Sequence, residues 1–230
     1  MRKSLKIGIT LIILLLIIVS VYFLVLDNNT HTIGSNDMGY VEKTVYNPTG
    51  ADATIVLVTG IHPREKLAID PEIDSANQFA SNNRNVKVIN YNVKVTKDAD
   101  DYSKSRYNGE HLVNQYVVPD INNTDADVVI ISHSHIPTYG EGYYIATPAM
   151  DSASVNLAHS INNSNIDFNY YSTQKTENYK STSIELTSKP IADAGYKTLV
   201  YEIPENITEQ DSTNRTYDLI NKCYEIITTN

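Results

Sequence analysis

Three uninterrupted apolar runs constrain the fold of this chain more than any other feature. They are "ATIVLVTG" (53–60), "ADVVIISHSH" (126–135) and "KTLVYEIP" (197–204). Apolar runs without alternation are typical of strands that are covered on both faces. Segments with helical spacing lie between the runs, and another follows the last one. This order predicts an α/β domain with a mixed, mostly parallel central sheet flanked by helices.

The N-terminal 26 residues differ in kind from the rest. Residues 1–6, "MRKSLK", form a basic flank, and residues 7–26 contain no charged side chain. A run of that length is sufficient to cross a bilayer of roughly 30 Å. We therefore predict a transmembrane signal anchor over 7–26, with the flank in the cytoplasm and the remainder outside the membrane. A cleaved signal peptide is the alternative, and it would export the domain equally.

Composition sets further bounds on the exported part. Residues 27–50 are polar and predict a stalk, so that the domain proper would occupy 51–230. The net charge of −9 comes without a basic stripe, which argues against nucleic acid as a partner. The single cysteine, Cys223, excludes an internal disulfide and is interpreted as a packing residue. Within the domain, 97–110 is polar and predicts a loop, and 111–121 predicts a short helix.

Each of the three predicted strands delivers polar side chains at or just after its end. The first delivers His62 and Glu65, the second His133 and His135, and the third Glu202. In α/β sheets, ligands gather at the carboxyl ends of the strands. We therefore expect these five side chains to line one site.

Two histidines and one glutamate form a recognised catalytic zinc set, with a fourth position left for water. His62 and Glu65 are three residues apart in a turn that leaves a strand, and His133 is the natural third ligand. Zinc in such a site activates water and polarises a carbonyl. The alternative for the His62 and Glu65 pair alone is a loop histidine beside a surface carboxylate.

Three stretches resemble the zinc metallocarboxypeptidase family. "GIHPRE" (60–65) is similar to that family's ligand turn, and "VVIISHSHIPTYGEGYY" (128–144) is similar to the strand that carries its later ligand histidine. "GYKTLVYEIPEN" (195–206) resembles the strand that presents its catalytic glutamate. The three occur in the family's order. The succinylglutamate desuccinylase and aspartoacylase branch shares this metal set and is a close rival.

The resemblance implies roles for individual residues. His62, Glu65 and His133 would bind one zinc ion. Glu202 would take a proton from the attacking water and pass it to the leaving amine. Glu205, past Pro204, is the alternative base.

On the substrate side, Arg64 matches the arginine inside the ligand turn, and Tyr179 stands where the family has a mobile substrate-binding tyrosine. The family's Asn–Arg pair for a terminal carboxylate has no clean counterpart. Arg106 is the best candidate for such a clamp, and the alternative is a solvated loop arginine. His135 would bind substrate, orient a ligand or reach the metal.

The leading functional prediction is a membrane-anchored, extracytoplasmic zinc hydrolase that cleaves an amide bond of a peptide. Within enzymes, the alternative is a deacylase of the aspartoacylase type that acts on an acyl-amino acid. Outside enzymes, the alternative is a surface binding module that keeps the fold without turnover. Retention of a residue of the catalytic kind at position 202 argues against a binding module.

Overall fold

A computed structural model of the chain describes residues 9, 10, 12–16, 29–47, 49–172 and 181–229. Eight strands form one sheet: β1 Asn29–Asn36, β2 Gly39–Tyr46, β3 Ala53–Thr59, β4 Val86–Val95, β5 Val128–His135, β6 Tyr144–Ala146, β7 Asn169–Tyr171 and β8 Thr198–Pro204. The helices are α1 Asp70–Asn82, α2 Tyr102–Leu112, α3 Val118–Ile121, α4 Ser152–Asn162, α5 Lys189–Asp193 and α6 Glu209–Thr229. A 3-10 turn spans Lys66–Ala68, and π-helical turns at Val113–Val117 and Ile184–Ser188 precede α3 and α5.

The sheet has the order β1-β2-β4-β3-β5-β8-β6-β7. Its four central strands, β4, β3, β5 and β8, run parallel. The pairs β1–β2, β2–β4 and β6–β8 are antiparallel, and β7 pairs parallel to β6 at the far edge. The prediction of a mixed α/β sheet flanked by helices is confirmed. The carboxyl ends of β3, β5 and β8 consequently lie side by side.

Two apolar layers cover the sheet. On one face, α1, α4 and α6 contribute Phe79, Leu157 and Ile220. On the other face, α2 and the turn after it contribute Leu112 and Val117. Each such fully buried side chain stabilises the fold by about 1.5–3 kcal/mol relative to exposure. Every residue of β3 and of β5 is buried, which explains their continuous apolar runs.

The interval predicted as a polar stalk contains an edge hairpin instead. Strands β1 and β2 pair antiparallel, and β2 continues the sheet by pairing with β4. Val41 of β2 is buried, and Lys43 forms an ion pair with Asp120 at 2.5 Å. An edge hairpin buries few side chains, so polar composition alone does not distinguish it from a stalk. The folded domain therefore extends to residue 29.

The interval 97–110, predicted as a loop, contains most of helix α2. Asp101 caps this helix, because its carboxylate accepts a hydrogen bond from the Lys104 amide at 2.9 Å. The buried side of this helix is itself polar, with Ser105, Asn108 and Glu110, so its composition resembles that of a loop. Arg106 therefore lies on a helix rather than in a loop.

The predicted anchor, 7–26, falls largely outside the part of the chain that the structure describes. Residues 9, 10 and 12–16 are helical, with exposed side chains. Among the described residues, no helix combines the length and the apolar character needed to cross a membrane.

Candidate metal centre

The chain turns sharply after β3 and places His62 beside the sheet. Gly60 has a φ of +75°, and a Cβ at this position would lie 2.5 Å from the Val93 carbonyl oxygen. Both constraints favour glycine. The Glu65 amide then donates to the His62 carbonyl at 3.0 Å, which closes a tight turn. This turn directs both side chains to the end of β5, where His133 lies.

His62, Glu65 and His133 converge on one point. The His62 Nδ1 atom lies 2.8 Å from Glu65 Oε1, and the His133 Nδ1 atom lies 3.1 Å from Glu65 Oε2. The two Nδ1 atoms are 3.1 Å apart. One ligand atom from each residue lies within 4.8 Å of the others. The two histidines are buried and Glu65 is partly buried.

This donor set fits a metal ion. Ligands at 2.0–2.1 Å from a tetrahedral zinc ion are separated by about 3.3 Å. The observed separations are a few tenths of an ångström shorter, so small side-chain rotations would accommodate the ion. Two imidazole nitrogens with one carboxylate leave a fourth position free for water, as in catalytic zinc sites.

The proximity of these side chains also shifts the pKa values of Glu65 and His62. Burial opposes ionisation of Glu65, but hydrogen bonds from His133 and His62 outweigh it and hold the pKa of Glu65 well below its usual range. Burial also opposes the charged form of His62, yet hydrogen bonds to Glu110 and Glu65 raise the pKa of His62 above its usual value. Glu65 is therefore held in the ionised form that binding of a cation requires.

Glu110 is a member of this site that the sequence did not reveal. Its Oε1 atom lies 3.3 Å from His62 Nε2, and Glu110 is 2% exposed. A carboxylate on the second ring nitrogen orients a ligand histidine and leaves the other nitrogen for the metal. Recognising Asp101 as a helix cap would have placed Glu110 on the helical face of Arg106, one turn further on.

Gly109 explains how α2 comes so close to the ligand turn. A Cβ at position 109 would lie 1.7 Å from the Ile61 carbonyl oxygen. Only glycine permits this approach of the helix backbone, which places Glu110 against His62. On the other side, the Ser183 hydroxyl lies 3.3 Å from His133 Nε2. Each of the two candidate ligand histidines thus has a polar partner on its second ring nitrogen.

Replacing Glu110 with Gln is expected to weaken zinc affinity by about 10–100-fold, the usual effect of losing an orienting partner. Glutamine keeps the shape of the side chain and removes its charge. Competition with a chromophoric chelator measures the affinity. Glu141→Gln, at an exposed loop carboxylate, is the matched control. An unchanged affinity in the Glu110→Gln protein would show that the contact does not support the metal.

Glu202 lies next to His133 at the strand ends. The two residues are partners in the parallel β5–β8 register, and Tyr144 is the partner of Glu202 on β6. Burial raises the pKa of Glu202 to about 7, and Glu65 adds to this effect while His133 and Arg106 oppose it. The side chain is still partly exposed. A carboxylate with a pKa near neutrality is suited to accept and return a proton.

The remaining predicted site residues have different surroundings. Arg106 donates to Glu65 Oε1 at 2.8 Å, so it contacts one of the three candidate ligands. Arg64 lies at the rim, where its Nη1 donates to the Asp100 carbonyl at 3.4 Å. The guanidinium groups of both arginines lie within 6 Å of the Tyr102 ring.

The ring nitrogens of His135 do not contact the three candidate ligands. The His135 Nδ1 atom lies 3.0 Å from the Ile136 carbonyl oxygen, and its Nε2 atom lies 3.0 Å from the Gly142 carbonyl oxygen. His135 lies on the same face of β5 as His133, because side chains two residues apart on a strand point the same way. Its contacts, however, are with the backbone of the loop that follows β5. Tyr179 lies outside the described residues.

The fold is that of metallo-carboxypeptidase-like proteins, as solved structures show. The metallo-carboxypeptidase from Burkholderia cenocepacia aligns with a TM-score of 0.58 and 12% identity, covering 88% of this chain and 65% of that chain. This chain thus spans slightly less than two thirds of that protein. A candidate metallopeptidase from Shewanella amazonensis SB2B aligns with a TM-score of 0.53 and 11% identity, covering 91% of this chain and 90% of that one.

A further similar structure is the cell shape determinant protein Csd4 from Helicobacter pylori with a bound tripeptide. It aligns with a TM-score of 0.51 and 11% identity over 81% of this chain and 55% of that chain. No protein-family model and no curated protein matches the sequence. At these identities the likeness concerns the fold.

Proposed function

We propose that this protein is a zinc-dependent hydrolase that cleaves an amide bond of a peptide. The observation that carries the proposal is the convergence of His62, Glu65 and His133 at strand ends, with Glu202 next to His133 in the register. Support also comes from the fold, since the similar solved structures include a metallo-carboxypeptidase.

We infer a role for each of these residues from its position. Zinc, when bound by the three ligands, would activate a water molecule and polarise the substrate carbonyl. Glu202 would accept the proton of the attacking water and return it to the leaving nitrogen. Glu110 and the hydroxyl of Ser183 would hold the two ligand histidines in orientation through their second nitrogens.

A peptide substrate is supported by two observations. The Csd4 protein has been solved with a tripeptide. In this chain, the guanidinium groups of Arg64 and Arg106 both lie within 6 Å of the Tyr102 ring centre, and the side chain of Arg106 is 31% exposed. A guanidinium at this place would attract a carboxylate of the substrate.

The proposal is tested by digesting a mixed library of peptides and N-acyl-amino acids with the zinc-loaded protein. Mass spectrometry identifies the bond that is cut, and chelation followed by zinc addition shows whether the activity depends on the metal. Cleavage confined to acyl-amino acids would favour the deacylase of the aspartoacylase type. Zinc binding without any hydrolysis would favour a binding module.

We further propose that the protein is attached to a membrane through 7–26, with its domain outside the cytoplasm. The basic flank 1–6 and the uncharged run that follows support this proposal. Protease added to intact cells is expected to digest the domain. Digestion that occurs only after lysis would contradict this topology.

A further inference from the structure

A second group of polar side chains lies on the face of the sheet opposite to the candidate metal centre. Ser132 and Tyr201 are partners in the β5–β8 register and directly precede His133 and Glu202. Successive side chains on a strand point to opposite faces, so Ser132 and Tyr201 point away from the metal ligands. Tyr201 packs in the apolar layer that α1 and α6 cover.

Glu72 of α1 is fully buried in this layer, with 0% exposure. Neither of its carboxylate oxygens has a hydrogen-bond partner among the described residues, and the same holds for the hydroxyls of Ser75, Ser132, Tyr201 and Thr216. We call these five side chains the Glu72 cluster. A buried carboxylate without a partner strongly favours its neutral form. Protonation also turns the carboxyl group into a donor for a neighbouring hydroxyl.

The groups that face Glu72 do not neutralise a negative charge. The hydroxyls of Ser132 and Thr216 lie close enough to favour the ionised carboxylate. Burial is the larger effect, and it raises the pKa of Glu72 to about 8. Tyr201 is the titratable group that faces Glu72 from β8, and burial raises the pKa of Tyr201 well above 10.

The cation that acts on Tyr201 is engaged with other groups. Arg215 of α6 acts on Tyr201, but its guanidinium lies 4.9 Å from the ring centre of Tyr143 and 5.0 Å from that of Phe168. It donates to the Asp167 carbonyl at 2.6 Å. Apolar side chains of this layer include Ile55 and Leu57 of β3, Phe79 of α1, Leu157 of α4 and Leu219 of α6. No ion pair of Glu72 occurs within the described ranges.

We propose that the Glu72 cluster is a pH-sensitive element of the fold, in which Glu72 is held protonated at neutral pH and its ionisation weakens the packing of α1 and α6 on the sheet. The folded state keeps the proton to a higher pH than the unfolded state, whose carboxyl titrates near 4.5. The folded state therefore binds more protons, and stability falls as the pH rises through this window. The inference does not depend on the proposed function.

The test compares the full chain with its Glu72→Gln and Glu72→Met variants in urea unfolding from pH 5 to pH 9. Both replacements are neutral, so neither loses stability by ionising at this position. The unfolding equilibrium constant of the wild type, divided by that of Glu72→Gln, is expected to rise about tenfold per pH unit between about pH 5 and 8. At higher pH, the ratio of the two equilibrium constants should become constant. Glu209→Gln, at an exposed carboxylate of α6, is the matched control and should show no such rise.

The pH dependence of this ratio of unfolding constants decides whether the proposal holds. A ratio that stays constant or falls between pH 5 and 8 overturns the proposal. The proposal also requires that a neutral side chain be accepted at position 72, so it is overturned if neither variant folds. A wild type that loses stability in alkaline solution, relative to at least one neutral variant, supports it.

Discussion

Replacing Glu202 with Gln is expected to lower the rate of amide hydrolysis by at least about a hundredfold, the low end of what general acid–base catalysis contributes. This corresponds to about 2.7 kcal/mol of activation free energy. Glutamine preserves the shape of the side chain and cannot accept the proton. Among the described residues, Glu202 is not one of the three whose ligand atoms converge, so we expect the loss in turnover and not in zinc binding. Steady-state kinetics on the peptide found in the library digest, with metal analysis of the same sample, measure both effects.

Glu205→Gln is the matched control for this experiment. Glu205 follows Pro204 and is exposed, and its Oε1 atom accepts a hydrogen bond from the Ser134 hydroxyl at 3.2 Å. We expect its replacement to leave most of the activity. Near-normal turnover of the Glu202→Gln protein would exclude Glu202 as the base. Loss of zinc in that protein would make Glu202 a ligand instead.

Replacing His62 with Ala is expected to weaken zinc binding by more than about a hundredfold, because removal of an orienting partner alone costs 10–100-fold. The substitution removes one of the three candidate ligands and leaves Glu65 and Glu110 without their contacts to the His62 ring. Elemental analysis after dialysis against a weak chelator measures the occupancy. His159→Ala is the control, since His159 is an exposed residue of α4 that packs against Tyr170. Full occupancy in the His62→Ala protein would refute the ligand assignment.

Local pattern was sufficient to predict the central strands and the side chains at their ends. The runs that became β3, β5 and β8 are buried almost throughout, and a strand covered on both faces requires apolar residues at every position. Strands alternating with helices predicted the α/β class, and parallel strands bring their carboxyl ends to one edge. The proximity of His62, Glu65 and His133 follows from these rules.

The other features of the site and of the sheet depend on contacts between segments that are far apart in the sequence. Glu110 reaches His62 across 48 residues, and it does so because Gly109 lets α2 approach the Ile61 carbonyl. The hairpin of β1 and β2 has the polar composition of a stalk, and only its pairing with β4 makes it part of the sheet. Glu72 resembles any surface carboxylate of a helix until α6 and the sheet enclose it. The sequence pattern shows which positions along one helix or strand are apolar. Whether a polar side chain is buried depends instead on which other helices and strands pack against it.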